Sequence, residues 1–127
     1  MKKICFKHLL VFAAVVLASC QTATQQQQPM SAAECALAKW CVAEGQLRMS
    51  TDGHGYIGIL LLADGSCINV SLPERESKKQ LGKPPVHQAI AGAVFPFPFA
   101  DDEMLGWKVN GRKVGFGTCG PNYVFVD

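Results

Sequence analysis

Four cysteines, Cys35, Cys41, Cys67 and Cys119, are the residues of this chain best suited to covalent chemistry. A thiol nucleophile needs a depressed pKa and, as a rule, a histidine partner. His54 falls in a turn-like stretch and His87 in a connector, and neither sits in a catalytic motif. A zinc site would want close pairs such as C-x2-C, which these spacings lack. If the chain is exported, an even number of cysteines in a small domain reads as a disulfide framework. Four cysteines allow three pairings, and the preferred one joins Cys35 to Cys41 and Cys67 to Cys119. The second bridge would close a loop of roughly fifty residues, a constraint of about 4 kcal/mol in the chain-entropy account.

The other polar clusters suggest less. Asp101, Asp102 and Glu103 offer oxygen ligands, but the spaced Asp/Asn-Gly pattern of a calcium loop is missing, so a solvated acidic loop is expected. Gly53, Gly55, Gly58 and Gly65 are not followed by the lysine and serine of a phosphate cradle. No metal, cofactor or catalytic group is expected. Aromatic residues are the remaining candidates: Phe95, Phe97, Phe99, Trp107, Phe116 and Tyr123. Most should simply fill a small core. Phe95, Phe97 and Phe99 alternate onto one side of a proline-interrupted segment, which confines them to an edge and makes them a candidate interaction surface.

The N-terminus has a layout of its own. Lys2, Lys3 and Lys7 precede an apolar run of ten residues, 9–18. As a helix that run would rise roughly 15 Å, about half of a bilayer's hydrocarbon core, and so is short for a membrane span. A cationic start, a short apolar middle and small residues describe a secretory signal. The run ends in Leu17-Ala18-Ser19-Cys20, which resembles the lipobox of bacterial lipoproteins at all four positions. The resemblance implies cleavage before Cys20, lipid on its sulfur and anchoring to a membrane; several acyl chains together hold far better than one. Gln21 is not the aspartate that tends to retain such proteins in the inner membrane of enteric-type bacteria. An outer-membrane, periplasm-facing location is the corresponding expectation. Residues 21–30, rich in Gln, read as a flexible tether.

The division is then a signal over 1–19, a lipidated cysteine and tether over 20–30, and one small domain over 31–127. Twelve Lys+Arg and ten Asp+Glu give the whole chain a net charge of +2. Three of the lysines leave with the signal, so the mature chain is close to −1. No basic stripe remains to favour nucleic acid.

Within the domain, Ser31-Ala32-Ala33-Glu34 is a capping-box pattern that should start a short helix over 32–39. Residues 40–42 could extend that helix or begin a strand, and Gly45 should interrupt either. The clearest element is a hairpin: apolar 56–62, a turn at Asp64-Gly65, then alternating 67–72 with Asn69 and Ser71 opposite Ile68, Val70 and Leu72. A charged linker over 74–82 and a short helix or loop over 86–90 are expected next. Strands over 105–109 and 112–117 should meet at Asn110-Gly111, and 123–126 should form the last strand. The sum is a mainly β fold: a small antiparallel barrel or sandwich with one N-terminal helix. Over 42–126 the order resembles OB-fold-like domains of secreted bacterial proteins. The function expected is a non-catalytic binding module contacting an envelope protein or cell-wall polysaccharide. The alternative is a small inhibitor or immunity-type protein directed at a periplasmic hydrolase.

Overall fold

The computed structural model describes residues 28–100, 104–105 and 108–127. The lysine-led segment, Cys5, Cys20, residues 21–27, Trp107 and the acidic run Asp101–Glu103 lie outside the described residues. Five strands close a barrel in the order β1 (Trp40–Thr51), β2 (Tyr56–Leu61), β3 (Cys67–Ser71), β8 (Asn122–Phe125) and β4 (Val86–Pro96), with β4 returning to β1. Every pairing is antiparallel except β3 with β8. This is an OB-like barrel. Two helices accompany it, α1 (Ala32–Leu37) before β1 and α2 (Glu74–Gln80) between β3 and β4. A separate three-stranded sheet, β5 (Met104–Leu105), β6 (Lys108–Val109) and β7 (Arg112–Lys113), lies between β4 and β8 in sequence.

β1 is one strand of twelve residues: residues 40–42 begin it, the second of the two alternatives, and Gly45 does not interrupt it. Cys41, Ala43, Leu47 and Met49 point into the core, and Glu44, Gln46, Arg48 and Ser50 point outward. That period of two passes unbroken through Gly45. A Cβ at Gly45 would run into the Leu61 carbonyl, so glycine is what lets β2 approach there. The long strand serves two partners: residues 40–47 pair with β4 and residues 46–51 with β2.

The predicted helix forms, with Ser31 and Glu34 as a reciprocal capping box, but it ends at Leu37. The β2–β3 hairpin also forms, its turn held by the Gly65 N–H to the Leu62 carbonyl and by Asp64 accepting from the Ser66 N–H. Other expectations fail. The charged stretch after Pro73 is helix α2, supported by acidic residues in its first turn, Lys78 and Lys79 in its last, and a Glu74–Lys78 pair at 3.2 Å. Its only buried residue is Ser77, whose hydroxyl donates to the Leu72 carbonyl, so it carries no apolar stripe to read. Residues 86–90 are neither helix nor loop; they begin β4, because β1 supplies their hydrogen-bonding partner. Of the strands expected over 105–109 and 112–117, the described residues form Lys108–Val109 and Arg112–Lys113 around the Asn110-Gly111 turn, where both residues adopt positive φ, while 114–117 are not strand.

The core has two parts. Inside the barrel lie Leu47, Met49, Leu60, Val70, Ile90 and Val124. A second cluster lies on the outer face of β2, β3 and β8: Ile57, Val109, Tyr123 and Phe125, with Ile59, Phe95, Phe99 and Val114 packed against it. The described residues of 97–121, which contain β5–β7, form a strap over that face. Both disulfides are made, Cys35–Cys41 and Cys67–Cys119, with Cα separations of 4.9 and 5.4 Å.

Candidate functional site

The strap determines which surfaces remain open. Asn69 and Ser71, which strand alternation would place in water, are both fully buried beneath it. The Asn69 amide donates to the Gly120 and Asn122 carbonyls at 2.9 and 3.1 Å and accepts from the Cys119 N–H at 2.9 Å. Gly117 passes so close that a Cβ there would collide with the Asn69 side chain. The Arg112 guanidinium donates to the Ser71 and Val126 carbonyls at 2.9 and 2.8 Å and lies 5.6 Å above the Phe125 ring. Burial moves its pKa below the ordinary arginine value, against the pull of Asp127. It stays charged, and its charge is spent on holding strap to barrel.

In OB-type barrels, ligands are taken by the outer face of the second and third strands and by the loops after the first and fourth. Here the loop after the fourth barrel strand is the strap itself, which fills most of that face and leaves its own outer surface and the β1–β2 loop. The β1–β2 loop, 52–55, is organised by Asp52. Its carboxylate accepts from the N–H groups of His54 at 2.9 Å, Gly55 at 3.3 Å and, across the fold, Phe116 of the strap at 2.7 Å. Burial pushes the Asp52 pKa up, but those three N–H groups and the nearby His54 ring outweigh it and hold the carboxyl below its usual value. The Gly115 N–H donates to the Tyr56 carbonyl at 2.9 Å, and the Thr51 hydroxyl to the Gly55 carbonyl at 2.9 Å. Loop and strap are therefore one framework.

Aromatic rings run along this framework. His54 meets Phe116 edge-on at 5.5 Å, Phe116 meets Phe97 at 6.3 Å, and Phe97 meets Phe99 at 5.6 Å. Phe99 continues to Tyr123 at 5.0 Å and to Phe125 at 6.1 Å, and Phe95 reaches Phe125 at 4.7 Å. Tyr123 is the inner pillar. Its hydroxyl accepts from the Gly117 N–H and donates to the Gly115 carbonyl, and burial raises its pKa. The three phenylalanines singled out in the sequence thus have different placements. Phe95 and Phe99 are half-buried in the second cluster, whereas Phe97 keeps 43% of its surface exposed. Phe116, at 54% exposed, joins Phe97 at the surface. Its position in a Gly-flanked stretch gave no sign of this; the pairing with Phe97 exists only once the strap folds over.

The remaining candidates are dispersed. His87 pairs with Glu44 at 2.8 Å on the exposed outer face of β1 and β4. All four described cysteines are in disulfides. Among the described residues, no three His, Cys, Asp or Glu side chains gather as metal ligands. Clefts beside α1, under α2 and on the outer face of β1–β2 measure about 190, 290 and 220 Å³, below the ~300–1,000 Å³ usual for small-molecule sites. No helix among the described residues is long and apolar enough to cross a membrane. No family model, curated protein or solved structure matches the chain, so the arrangement of its own residues carries the functional reading.

Proposed function

We propose that this chain is a lipid-anchored envelope lipoprotein whose barrel acts as a non-catalytic binding module, facing the periplasm from the outer membrane. The lipobox-like Leu17-Ala18-Ser19-Cys20 supports the anchor. The observation that carries the binding role is the pair of exposed rings, Phe97 and Phe116, on a backbone framework that Asp52 and Tyr123 hold fixed. Rigid aromatic groups lose little entropy on contact and offer large apolar faces to a partner's side chains or to the C–H face of a sugar. The partner is an envelope protein or a cell-wall polysaccharide.

The test is crosslinking in the native envelope, comparing wild type with a Phe97→Ser/Phe116→Ser variant. Both rings are surface groups, so the barrel should survive their loss. Wild type should capture one dominant protein or cell-wall fragment and the variant should not. Equal capture by both would remove the ridge from the binding role. The anchor is tested separately: Cys20→Ala should abolish lipid labelling and release the chain from membranes, and undiminished anchoring would refute the lipoprotein reading.

A further inference from the structure

The Cys35–Cys41 disulfide closes a ring across only six residues of separation, and the ring displays apolar side chains to solvent. Leu37 is 92% exposed and Trp40 50% exposed. Scattered exposed apolar residues are ordinary, but two held together in one small covalent ring form a presented group. Lys39, also exposed, lies between them. The backbone here is fixed at both ends. The Val94 N–H donates to the Lys39 carbonyl at 2.9 Å, and the Asn122 amide donates to the Ala36 carbonyl at 3.3 Å. Trp40 begins β1 opposite Ala93, and Val42 pairs with Ala91 beside it.

We infer that this ring is a membrane-contact element that seats the domain on the bilayer to which the chain is anchored. The inference rests on the lipoprotein reading above. Two observations select a lipid surface as the occupant. The first is where the chain leaves the domain. Ser31 caps α1, and ten residues lie between it and Cys20. Fully extended, that length spans at most about 40 Å, so the tether keeps its root, where the Met30 N–H donates to the Val42 carbonyl near the start of β1, within that distance of the lipid. Leu37 and Trp40 lie at that root. The second is chemistry: a leucine to enter the acyl boundary, a tryptophan suited to the headgroup level and a lysine whose stem can lie along apolar surface while its charge reaches phosphate. With the ring against the bilayer, the domain would hold a fixed orientation instead of pivoting about the tether.

The test uses the full-length lipidated protein in phosphatidylethanolamine/phosphatidylglycerol vesicles, with and without brominated acyl chains. Intact mass and vesicle flotation report lipidation at Cys20, independently of docking. Tryptophan emission reports docking, and the difference between wild type and Trp40→Phe isolates Trp40 from Trp107. The Trp40 component should be quenched at least about twofold by brominated lipid, the depth expected of an interfacial tryptophan. Leu37→Asp should abolish that quenching while flotation stays complete. A lipidated, floating protein whose Trp40 component is quenched by aqueous iodide and untouched by brominated lipid would overturn the inference and leave the anchor standing. Unmodified Cys20 in the native protein would overturn both.

Discussion

Asn69 offers the sharpest test of how strap and barrel are joined. Its amide serves three backbone groups, the carbonyls of Gly120 and Asn122 and the N–H of Cys119, and the side chain is fully buried. Asn69→Leu keeps the approximate volume and removes all three partners at once. A buried backbone group left without a partner costs about 1–3 kcal/mol. Gly120 is exposed, and Cys119 and Asn122 are partly so, so water can serve them in part. The net loss should therefore be about 2–4 kcal/mol, near the low end of that range per group. For a domain of this size, 1 kcal/mol moves the midpoint by roughly 4–8 °C, so the melting temperature should fall by at least about 8 °C. Asn69→Asp separates geometry from chemistry. It retains the acceptor for the Cys119 N–H but turns a carboxylate toward two carbonyl oxygens. It should be the worse variant at neutral pH and recover as acid protonates the carboxyl. The assay is urea and thermal unfolding with disulfides intact, followed by near-ultraviolet circular dichroism. An Asn69→Leu midpoint within about 0.5 kcal/mol of wild type, the range of ordinary surface substitutions, would refute the claim that this side chain seats the strap.

Arg112→Met should cost about 2–4 kcal/mol in urea unfolding, because two charge-assisted hydrogen bonds to the Ser71 and Val126 carbonyls vanish; Arg112→Lys should restore little of it, since one ammonium cannot reproduce the guanidinium fork. Gly92→Ala should cost more than about 3 kcal/mol or prevent folding, because its Cβ would fall on the Phe125 carbonyl where β4 meets β8; soluble yield and melting temperature report it. The two bridges should differ: removing Cys67–Cys119, at a separation of 52, should cost about 4 kcal/mol and removing Cys35–Cys41, at a separation of 6, about 2, measured by urea unfolding of the double alanine variants. The folded-state pKa of Asp52 lies below its unfolded value, so its contribution is complete at neutral pH and is lost as pH falls through the acid range below 3.8. Asp52→Asn should therefore lower stability at pH 7 and flatten the acid limb of a melting-temperature profile; an unchanged acid limb would show that the carboxylate is not engaged.

Elements defined by their own residues were legible in the sequence. The capping box at Ser31 and Glu34, the Asp64-Gly65 and Asn110-Gly111 turns and the extent of β3 are local, and each lies where the residues put it. The preferred disulfide pairing also matches, since one short and one long bridge suit a helix pinned to the first strand and a strap pinned to the third. What escaped reading depends on distant partners. β4 opens with Val86, His87, Gln88 and Ala89, all exposed, and is a strand because β1 lies beside it. α2 buries only Ser77, so periodicity had nothing to report. The polar face of β3 looked like a solvent face because nothing local to Asn69 reveals the fifty-residue return of the strap. The ridge followed the same rule: Phe97 was visible as an odd aromatic between prolines, whereas Phe116 became its neighbour through distant contacts such as that with Asp52, 64 residues away.

The position of β8 also bears on when this domain can fold. It is the last strand in chain order, yet it sits between β3 and β4, with Asn69 opposite Tyr123 and Ala93 opposite Phe125. Until residues 122–125 are available, β3 and β4 face each other as two open edges, and the ring of strands is a curved sheet with a gap. Contacts this distant in sequence form slowly, because the intervening chain must be closed before they contribute. The barrel would thus stay unclosed until residues 122–125 had joined it. That delay would expose two unpaired edges, a hazard for pairing with neighbouring chains. Truncation after Cys119 should leave material that aggregates instead of a smaller folded barrel.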